Sequence, residues 1–210
     1  MAQGKKLITF FLPLFLFYTV SIFTIPHSKT KYYRKDFACL GVRYLNSLEF
    51  EVPESEIPST KLKVAHPAYN PKKYISLIEK RYHAPVFIQY INTTVGYGVF
   101  AGKNFRKGDM IGEYTGIVRK IDETNTNNFG YSWGYLYPPK LIIDAKDAGN
   151  YTRFINHSSI PNIDVIYIQD CKKRWHMIYV ANKPIKKGEQ LLANYGTHYW
   201  SSRGVNPSDL

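Results

Sequence analysis

From Pro85 onward, hydrophobic residues come in short runs separated by glycine and asparagine turns. The runs are VFIQYI, YGVFAG, MIGEYTGIV, KLIIDA, IDVIYIQ, WHMIYVANKPI and EQLLANY. Short apolar runs rich in β-branched and aromatic residues predict strands, and the turns between them leave little room for crossover helices. We therefore predict a mostly β domain of several small curled sheets, without an internal repeat.

One amphipathic helix is predicted ahead of these strands, over residues 70–82. Asn70 suits the N-cap position, and Pro71 suits the first turn. Apolar residues then recur at helical spacing, at positions 74, 77, 78 and 82. Before the helix, residues 27–69 have a mixed pattern in which EVPESEIPST indicates an exposed, proline-punctuated connection.

Residues 7–25, LITFFLPLFLFYTVSIFTI, contain no charged side chain. That length just spans a hydrocarbon layer of about 30 Å, and a run that is apolar on all faces is unusual for a core helix. A secretory signal shares the basic start, but SIFTIPHSK offers bulky residues where a cleavage site needs small ones. More cations follow the run than precede it, which predicts a membrane anchor with the remaining chain on the cytosolic side. Export through an N-terminal signal is the alternative.

Composition favours a folded domain. With 44% hydrophobic and 21% charged residues, the 210-residue chain can bury a core and is not expected to be disordered. The 18 tyrosines and 12 phenylalanines favour β structure. Cys39 and Cys171 belong to no cluster with metal-ligand spacing, so no metal site is expected.

The chain carries a formal net charge of +12, from 28 basic and 16 acidic residues. These residues are spread along the sequence, without helix-turn-helix or zinc-finger spacing. A solvated basic surface is the simplest interpretation. Non-specific contact with DNA, RNA or anionic lipid is the alternative, because such a surface attracts polyanions.

Four motifs carry candidate chemistry: VGYGVFA (95–101), GEYTG (112–116), RFINHSSIPN (153–162) and GEQLLANYG (188–196). A Gly-x-Gly lets backbone approach a ligand closely, but a tight hairpin needs it equally. The third motif is the most specific, since its arginine, asparagine and histidine interrupt apolar strands. Polar groups there need partners, either in a structural knot of hydrogen bonds or in a cradle for a charged ligand.

In this order and spacing the motifs resemble those of the SET-domain protein lysine methyltransferases, from about Pro85 to Gly196. The resemblance implies small curled sheets around a C-terminal pseudoknot, through which the RFINHS segment threads. It divides the chain into a hydrophobic anchor or signal segment (1–26), a flanking region (27–84), the SET domain (85–196) and a tail without zinc cysteines (197–210).

The resemblance also implies a site for S-adenosylmethionine. Tyr195 is the expected catalytic residue, beside a lysine channel lined by Tyr114. Trp200 or Tyr199 is expected to be an aromatic lid over the cofactor, with packing as the alternative role. Ala193 stands where the family has a Phe or Tyr that limits methylation, so we expect di- or trimethyl products. The remaining residues expected to hold the cofactor are Gly96, Tyr97, Gly98, Tyr131, Arg153, Asn156 and His157.

We therefore predict a protein-lysine N-methyltransferase that takes methyl groups from S-adenosylmethionine and acts on a histone tail or another protein. One alternative is a methyltransferase for a cytosolic or host protein other than a histone. The other is a catalytically inactive SET-fold binding module.

Overall fold

The computed structural model describes residues 37–57, 69–121, 130–135 and 141–201. The hydrophobic helix predicted over residues 7–25 lies outside these ranges. Within them, the structure contains no helix long and apolar enough to cross a bilayer. This finding contradicts the predicted membrane-anchored location.

The described residues form short strands with few helices. Residues 37–39 are helical, and the helices named here are α1 (Pro71–Glu79) and α2 (Thr197–Ser201), with 3-10 turns at Glu54–Glu56 and Tyr151–Phe154. The strands are β1 (Arg43–Tyr44), β2 (Glu49–Phe50), β3 (Val86–Asn92), β4 (Gly96–Ala101), β5 (Met110–Glu113), β6 (Ile117–Lys120), β7 (Ser132–Gly134), β8 (Leu141–Asp144), β9 (Ala148–Gly149), β10 (Asn156–His157), β11 (Ile163–Gln169), β12 (Trp175–Ala181) and β13 (Leu192–Ala193).

These strands assemble into small sheets, which confirms the predicted mostly β architecture. The largest have the orders β2-β6-β8-β7 and β11-β12-β5, and β3 pairs with β4 in an antiparallel hairpin. Two-residue parallel pairs, β1 with β9 and β10 with β13, connect distant parts of the chain. The flank before α1 therefore contributes strands, β1 and β2, that its mixed pattern did not predict.

The predicted helix is confirmed as α1. The Asn70 side chain accepts a hydrogen bond from the Lys72 backbone amide at 3.1 Å, so the cap forms as expected. Tyr74 is buried among apolar residues of β11 and β12. The helix therefore packs on the sheet that carries β5.

The run MIGEYTGIV, predicted as one strand, is two strands with a break at residues 114–116. Gly116 lies so close to β8 that an added Cβ would sit 2.5 Å from the Asp144 carbonyl oxygen. Backbone cannot give way there as a flexible side chain could. The break removes Tyr114 from the strand and leaves its side chain buried.

We expect Gly116→Ala to lower the free energy of unfolding by about 1–3 kcal/mol, the usual cost of overpacking a core. Gly130→Ala is the matched control, because nothing lies within 4 Å of a Cβ added there. Urea unfolding of both variants measures the difference. Equal stability of the two would contradict this role of Gly116.

The RFINHSSIPN segment is tied to the C-terminal strand. Strand β10 pairs in parallel with β13, placing Asn156 opposite Leu192. Asn162 accepts a hydrogen bond from the Leu192 amide at 2.8 Å and donates to the Gln190 carbonyl at 2.8 Å. The structural knot is thus one of the roles of this motif, and it fixes the position of Tyr195 just beyond β13.

Candidate active site

A narrow aromatic cavity lies beside the junction of β10 and β13. Its aromatic lining comprises Tyr114, Trp133, Tyr179, Tyr195 and Tyr199, together with Tyr131. Neighbouring rings meet edge to face; the Trp133 and Tyr195 centroids, for example, are 5.8 Å apart. Such packing gives the cavity rigid aromatic walls.

Tyr195 is held at both its backbone and its hydroxyl. The hydroxyl donates to the Ile155 carbonyl at 2.5 Å, and the backbone amide donates to His157 Nδ1 at 3.1 Å. Burial lowers the pKa of His157, which favours the neutral ring that this acceptor role requires. Residues of the third motif therefore position the tyrosine of the fourth.

Tyr114 lies on another wall of the same cavity, fully buried in the break between β5 and β6. Its hydroxyl donates to the Tyr131 carbonyl at 2.5 Å. Burial raises the pKa of the Tyr114 hydroxyl well above its usual value, and the neighbouring Tyr195 raises it further. Tyr114 therefore remains a neutral donor, as an apolar channel needs.

Arg153 supports the part of the cavity wall that contains Tyr131. Its guanidinium donates to the Ala145 carbonyl at 2.7 Å and the Lys146 carbonyl at 2.8 Å. It also lies over the Tyr131 ring, 3.8 Å from the centroid. Burial lowers the pKa of Arg153, although nearby tyrosines and aspartates oppose that change. Arg153 therefore holds the Tyr131 ring in place, and it also lines the cavity itself.

The Gly-x-Gly of β4 meets the third motif directly. The Asn156 side-chain amide donates to the Tyr97 carbonyl at 3.0 Å. A Cβ on Gly98 would lie 3.2 Å from that amide nitrogen and 2.7 Å from the end of Gln190. Glycine at 98 therefore lets the side chains of Asn156 and Gln190 pack close to the β4 backbone, whereas Gly96 adopts a positive φ of 75° in the turn.

Trp200 of α2 closes over the same region. Its ring lies 4.8 Å from that of His157 and is stacked on Tyr195 at 6.1 Å. The indole nitrogen of Trp200 is buried, yet it has no hydrogen-bond acceptor among the described residues. A buried donor without an acceptor is costly, and one beside a predicted cofactor pocket fits a site that a polar ligand completes.

The predicted site residues thus fall into connected groups. Tyr114, Tyr131, Arg153 and Tyr195 line one cavity. Asn156 contacts the β4 backbone, while His157 and Trp200 contact Tyr195. The sequence did not identify the aromatic lining residues Trp133 and Tyr179 as part of the site. Side chains alternate between the two faces of a strand, but the run IYVA is apolar throughout, so its sequence does not tell which face meets a cavity.

Comparison with known families is consistent with this geometry. The family model of the SET domain matches residues 96–196. Residues 96–196 form a SET domain. The match contains all four motifs except the valine that begins the first.

Curated relatives of the SET domain are lysine methyltransferases by name. Histone-lysine N-methyltransferase EZH2 of Chaetomium thermophilum is 31% identical over 118 residues, which cover 50% of this chain and 8% of that protein. N-lysine methyltransferase KMT5A of Xenopus tropicalis is 30% identical over 126 residues, covering 55% of this chain and 37% of that protein. The chain therefore spans well under half the length of these relatives.

A solved structure has the same fold. It is ctPRC2 in an autoinhibited conformation bound to S-adenosylmethionine, with a TM-score of 0.52 and 26% identity. The similarity covers 60% of this chain and 18% of that one. It confirms the predicted SET fold for the part of the chain that it covers.

A buried charged cluster lies behind the Tyr114 wall of the SET domain. His176 Nδ1 lies 2.6 Å from a carboxylate oxygen of Glu113. Its Nε2 lies 3.4 Å from Asp170, a charge contact without the alignment of a hydrogen bond. Burial would lower the pKa of His176, but the hydrogen bond and charge of Glu113, together with the charge of Asp170, raise it overall.

We expect this cluster to make stability depend on pH. A histidine whose pKa is raised by folding stabilises the fold fully below its unfolded pKa of about 6.5, and this contribution is lost as pH rises through the folded value. The free energy of unfolding should therefore fall as pH rises from about 6, and His176→Gln should remove that fall. Urea unfolding across a pH series measures both.

His83→Gln is the matched control, because burial lowers the pKa of His83 and its effect on stability has the opposite sign. That variant should retain the alkaline fall and change only the acid side. Stability of the unaltered chain that does not vary above pH 6 would contradict the assignment.

Proposed function

We propose that the chain is a protein-lysine methyltransferase that uses S-adenosylmethionine. The observation that carries the proposal is the aromatic cavity against which the Tyr195 hydroxyl is fixed by the Ile155 carbonyl. The SET domain match and relatives named as lysine methyltransferases support it.

The described residues fit the cofactor. Asn156 anchors the backbone of Tyr97 next to Gly98, and Trp200 offers a buried donor next to His157. These residues, with the backbone of Gly96 and Tyr97, would hold S-adenosylmethionine. When bound, it supplies an activated methyl group on a positively charged sulfur.

The cavity suits the other reactant, a lysine side chain. Free lysine has a pKa of about 10.4, and the neutral amine is the nucleophile. None of the residues that line the described cavity is a carboxylate, so nothing there holds the ammonium form. Burial among aromatic rings disfavours the charge and lowers the amine pKa, and the proton leaves to water.

Alignment is the main contribution of the chain. Aromatic walls fix the alkyl stem of the lysine, and Tyr195 fixes the direction of the amine. Correct orientation of two reactants lowers a barrier by up to about 7–11 kcal/mol. The cavity needs no dedicated general base for this chemistry.

A histone is the first substrate to test. EZH2 of Chaetomium thermophilum is named as a histone-lysine enzyme, whereas KMT5A of Xenopus tropicalis is named more broadly as an N-lysine methyltransferase. The full chain, incubated with tritiated S-adenosylmethionine, core histones and a cell lysate, should label a discrete protein band. Label on histones supports a histone enzyme, and label on a lysate protein supports a different protein substrate.

An inactive binding module is the second candidate. It needs no cofactor, so calorimetric titration with S-adenosylmethionine separates the two proposals. Saturable binding supports the enzyme. Absence of both binding and label would favour the module.

The small side chain of Ala193 leads to a prediction about the number of methyl groups in the product. It is buried in β13 and is not among the residues that line the aromatic cavity. Because a small residue leaves space where the family can have a ring, we predict that the enzyme adds two or three methyl groups. Mass spectrometry of the methylated substrate tests this, and monomethyl-lysine alone, with cofactor in excess, would contradict it.

A further inference from the structure

Two segments far apart in sequence have matching residues. AGKNFRKGD at 101–109 and ANKPIKKGE at 181–189 each run from an alanine to an acidic residue. Between these ends, a lysine, an apolar residue, two adjacent cations and a glycine occupy equivalent places. The prediction of no internal repeat is wrong for these segments, hereafter the paired loops.

Reciprocal backbone hydrogen bonds hold the paired loops side by side. The Phe105 amide donates to the Ile185 carbonyl at 2.8 Å, and the Ile185 amide donates back to Phe105 at 3.0 Å. The Ala101 amide donates to the Glu189 carbonyl at 2.8 Å, and the Ala181 amide donates to the Asp109 carbonyl at 2.9 Å. The two glycines, Gly108 and Gly188, have positive φ angles of 84° and 90°. An approximate local two-fold axis therefore relates the loops.

This pairing gathers charge on one surface. Phe105 and Ile185 are buried at the centre, with 2% and 1% exposure, while the cations are exposed. None of these cations forms an ion pair with another described residue. The cations of the paired loops are Lys103, Arg106, Lys107, Lys183, Lys186 and Lys187.

Helix α1 extends the same surface. The Lys73 ammonium donates to the Gly108 carbonyl at 2.9 Å, so its charge lies against the first loop. The two carboxylates within the paired loops are Asp109 and Glu189, and Asp109 already accepts the Arg106 amide at 2.9 Å. Positive charge therefore predominates.

The chemistry of this surface selects among polyanions. Protein interfaces depend on aromatic and apolar anchors, and single-stranded nucleic acid needs exposed rings for stacking. The large exposed hydrophobic residues of the described chain all lie outside the paired loops. Cations without such anchors suit the regularly spaced phosphates of a duplex.

We propose that the paired loops dock on the phosphate backbone of duplex DNA. The choice of DNA rests on the proposed function, since a histone substrate is carried on DNA. Binding through phosphates is independent of base sequence. The surface would hold the SET domain near DNA-bound substrates and raise their local concentration.

The test is fluorescence anisotropy of the full chain with a labelled DNA duplex of random sequence, at several NaCl concentrations. The three cations of each loop are replaced together, one loop at a time. Each phosphate contact that is lost should reduce the magnitude of the slope of log K against log salt by about 0.9. Each triple variant should therefore reduce the magnitude of that slope by about 2–3 and weaken binding at 0.1 M NaCl at least tenfold. The variants are Lys103→Gln, Arg106→Gln and Lys107→Gln together, and Lys183→Gln, Lys186→Gln and Lys187→Gln together.

A matched control removes the same charge elsewhere, by Lys80→Gln, Lys172→Gln and Lys173→Gln, all of them exposed. It should retain the slope and affinity. An equal loss in the control, or unchanged binding in both loop variants, overturns the proposal. So does duplex RNA bound at least tenfold more tightly than DNA, or polyglutamate that competes as well as DNA at equal charge.

Failure of this proposal is distinguishable from failure of the enzyme proposal. The binding assay needs no cofactor and no catalysis. On free histones, both loop variants should methylate at the rate of the unaltered chain, and their rate should fall only on DNA-bound histones. An equal fall on both substrates would mean that the loops act on the fold or the active site instead.

Discussion

Tyr195→Phe is expected to slow methyl transfer about 10²–10³-fold while S-adenosylmethionine still binds. The change removes one hydroxyl, which donates to the Ile155 carbonyl at 2.5 Å and faces the aromatic cavity. Loss of a single preorganised dipole at a reacting centre costs about 2.7–4 kcal/mol. The ring remains, with its contacts to Trp133 and His157, so the fold should be retained.

Tyr167→Phe is the matched control for this variant. The Tyr167 hydroxyl also donates to a backbone carbonyl, that of Gly134 at 2.7 Å, and burial raises its pKa. Tyr167 does not line the aromatic cavity. Initial rates at saturating cofactor should therefore fall for Tyr195→Phe alone. Equal rates for both variants would remove Tyr195 from the catalytic site.

Asn156→Ala is expected to weaken S-adenosylmethionine binding about tenfold to a hundredfold. The side chain joins the third motif to the Tyr97 carbonyl at 3.0 Å, and its amide nitrogen packs against Gly98. Truncation leaves a polar backbone group without its partner, which costs about 1–3 kcal/mol. It also frees the β4 backbone that would hold the ligand. Calorimetry of the purified chain measures the dissociation constant.

Asn182→Ala separates loss of binding from loss of stability. The Asn182 amide donates to Asp164 at 2.9 Å, in a partly buried contact away from β4. Both variants should lose some stability in urea, but Asn182→Ala should bind cofactor as the unaltered chain does. If cofactor affinity follows stability in both variants, Asn156 has no specific role at the site.

Local signals were sufficient for the elements with regular patterns. Asn70 and Pro71 predicted the start of α1, and short apolar runs predicted strands such as β3, β11 and β12. The two-residue strands β1 and β2 were missed, since so short a pairing has no period and is determined by partners distant in sequence. Distant pairing also explains why MIGEYTGIV is broken, because Gly116 is constrained by Asp144 of β8.

The site was predictable where chemistry is concentrated in motifs. The residues of RFINHSSIPN and GEQLLANYG meet at the β10 and β13 pair, as the resemblance implied. Trp133 and Tyr179 could not be assigned from sequence, because an aromatic residue in a strand is as suited to the core as to a cavity wall. The Glu113–His176 contact was missed for a related reason: the two residues meet only when β5 pairs with β12.

The identity of the methylated atom tests the proposed lysine methyltransferase activity most directly. Substrate labelled by the full chain would be digested and sequenced by tandem mass spectrometry, with reactions lacking S-adenosylmethionine as the blank. We expect methyl groups on the side-chain nitrogen of a lysine, and none in the blank. Methyl groups found on arginine or histidine, or on no residue although cofactor binds, would contradict the proposed activity.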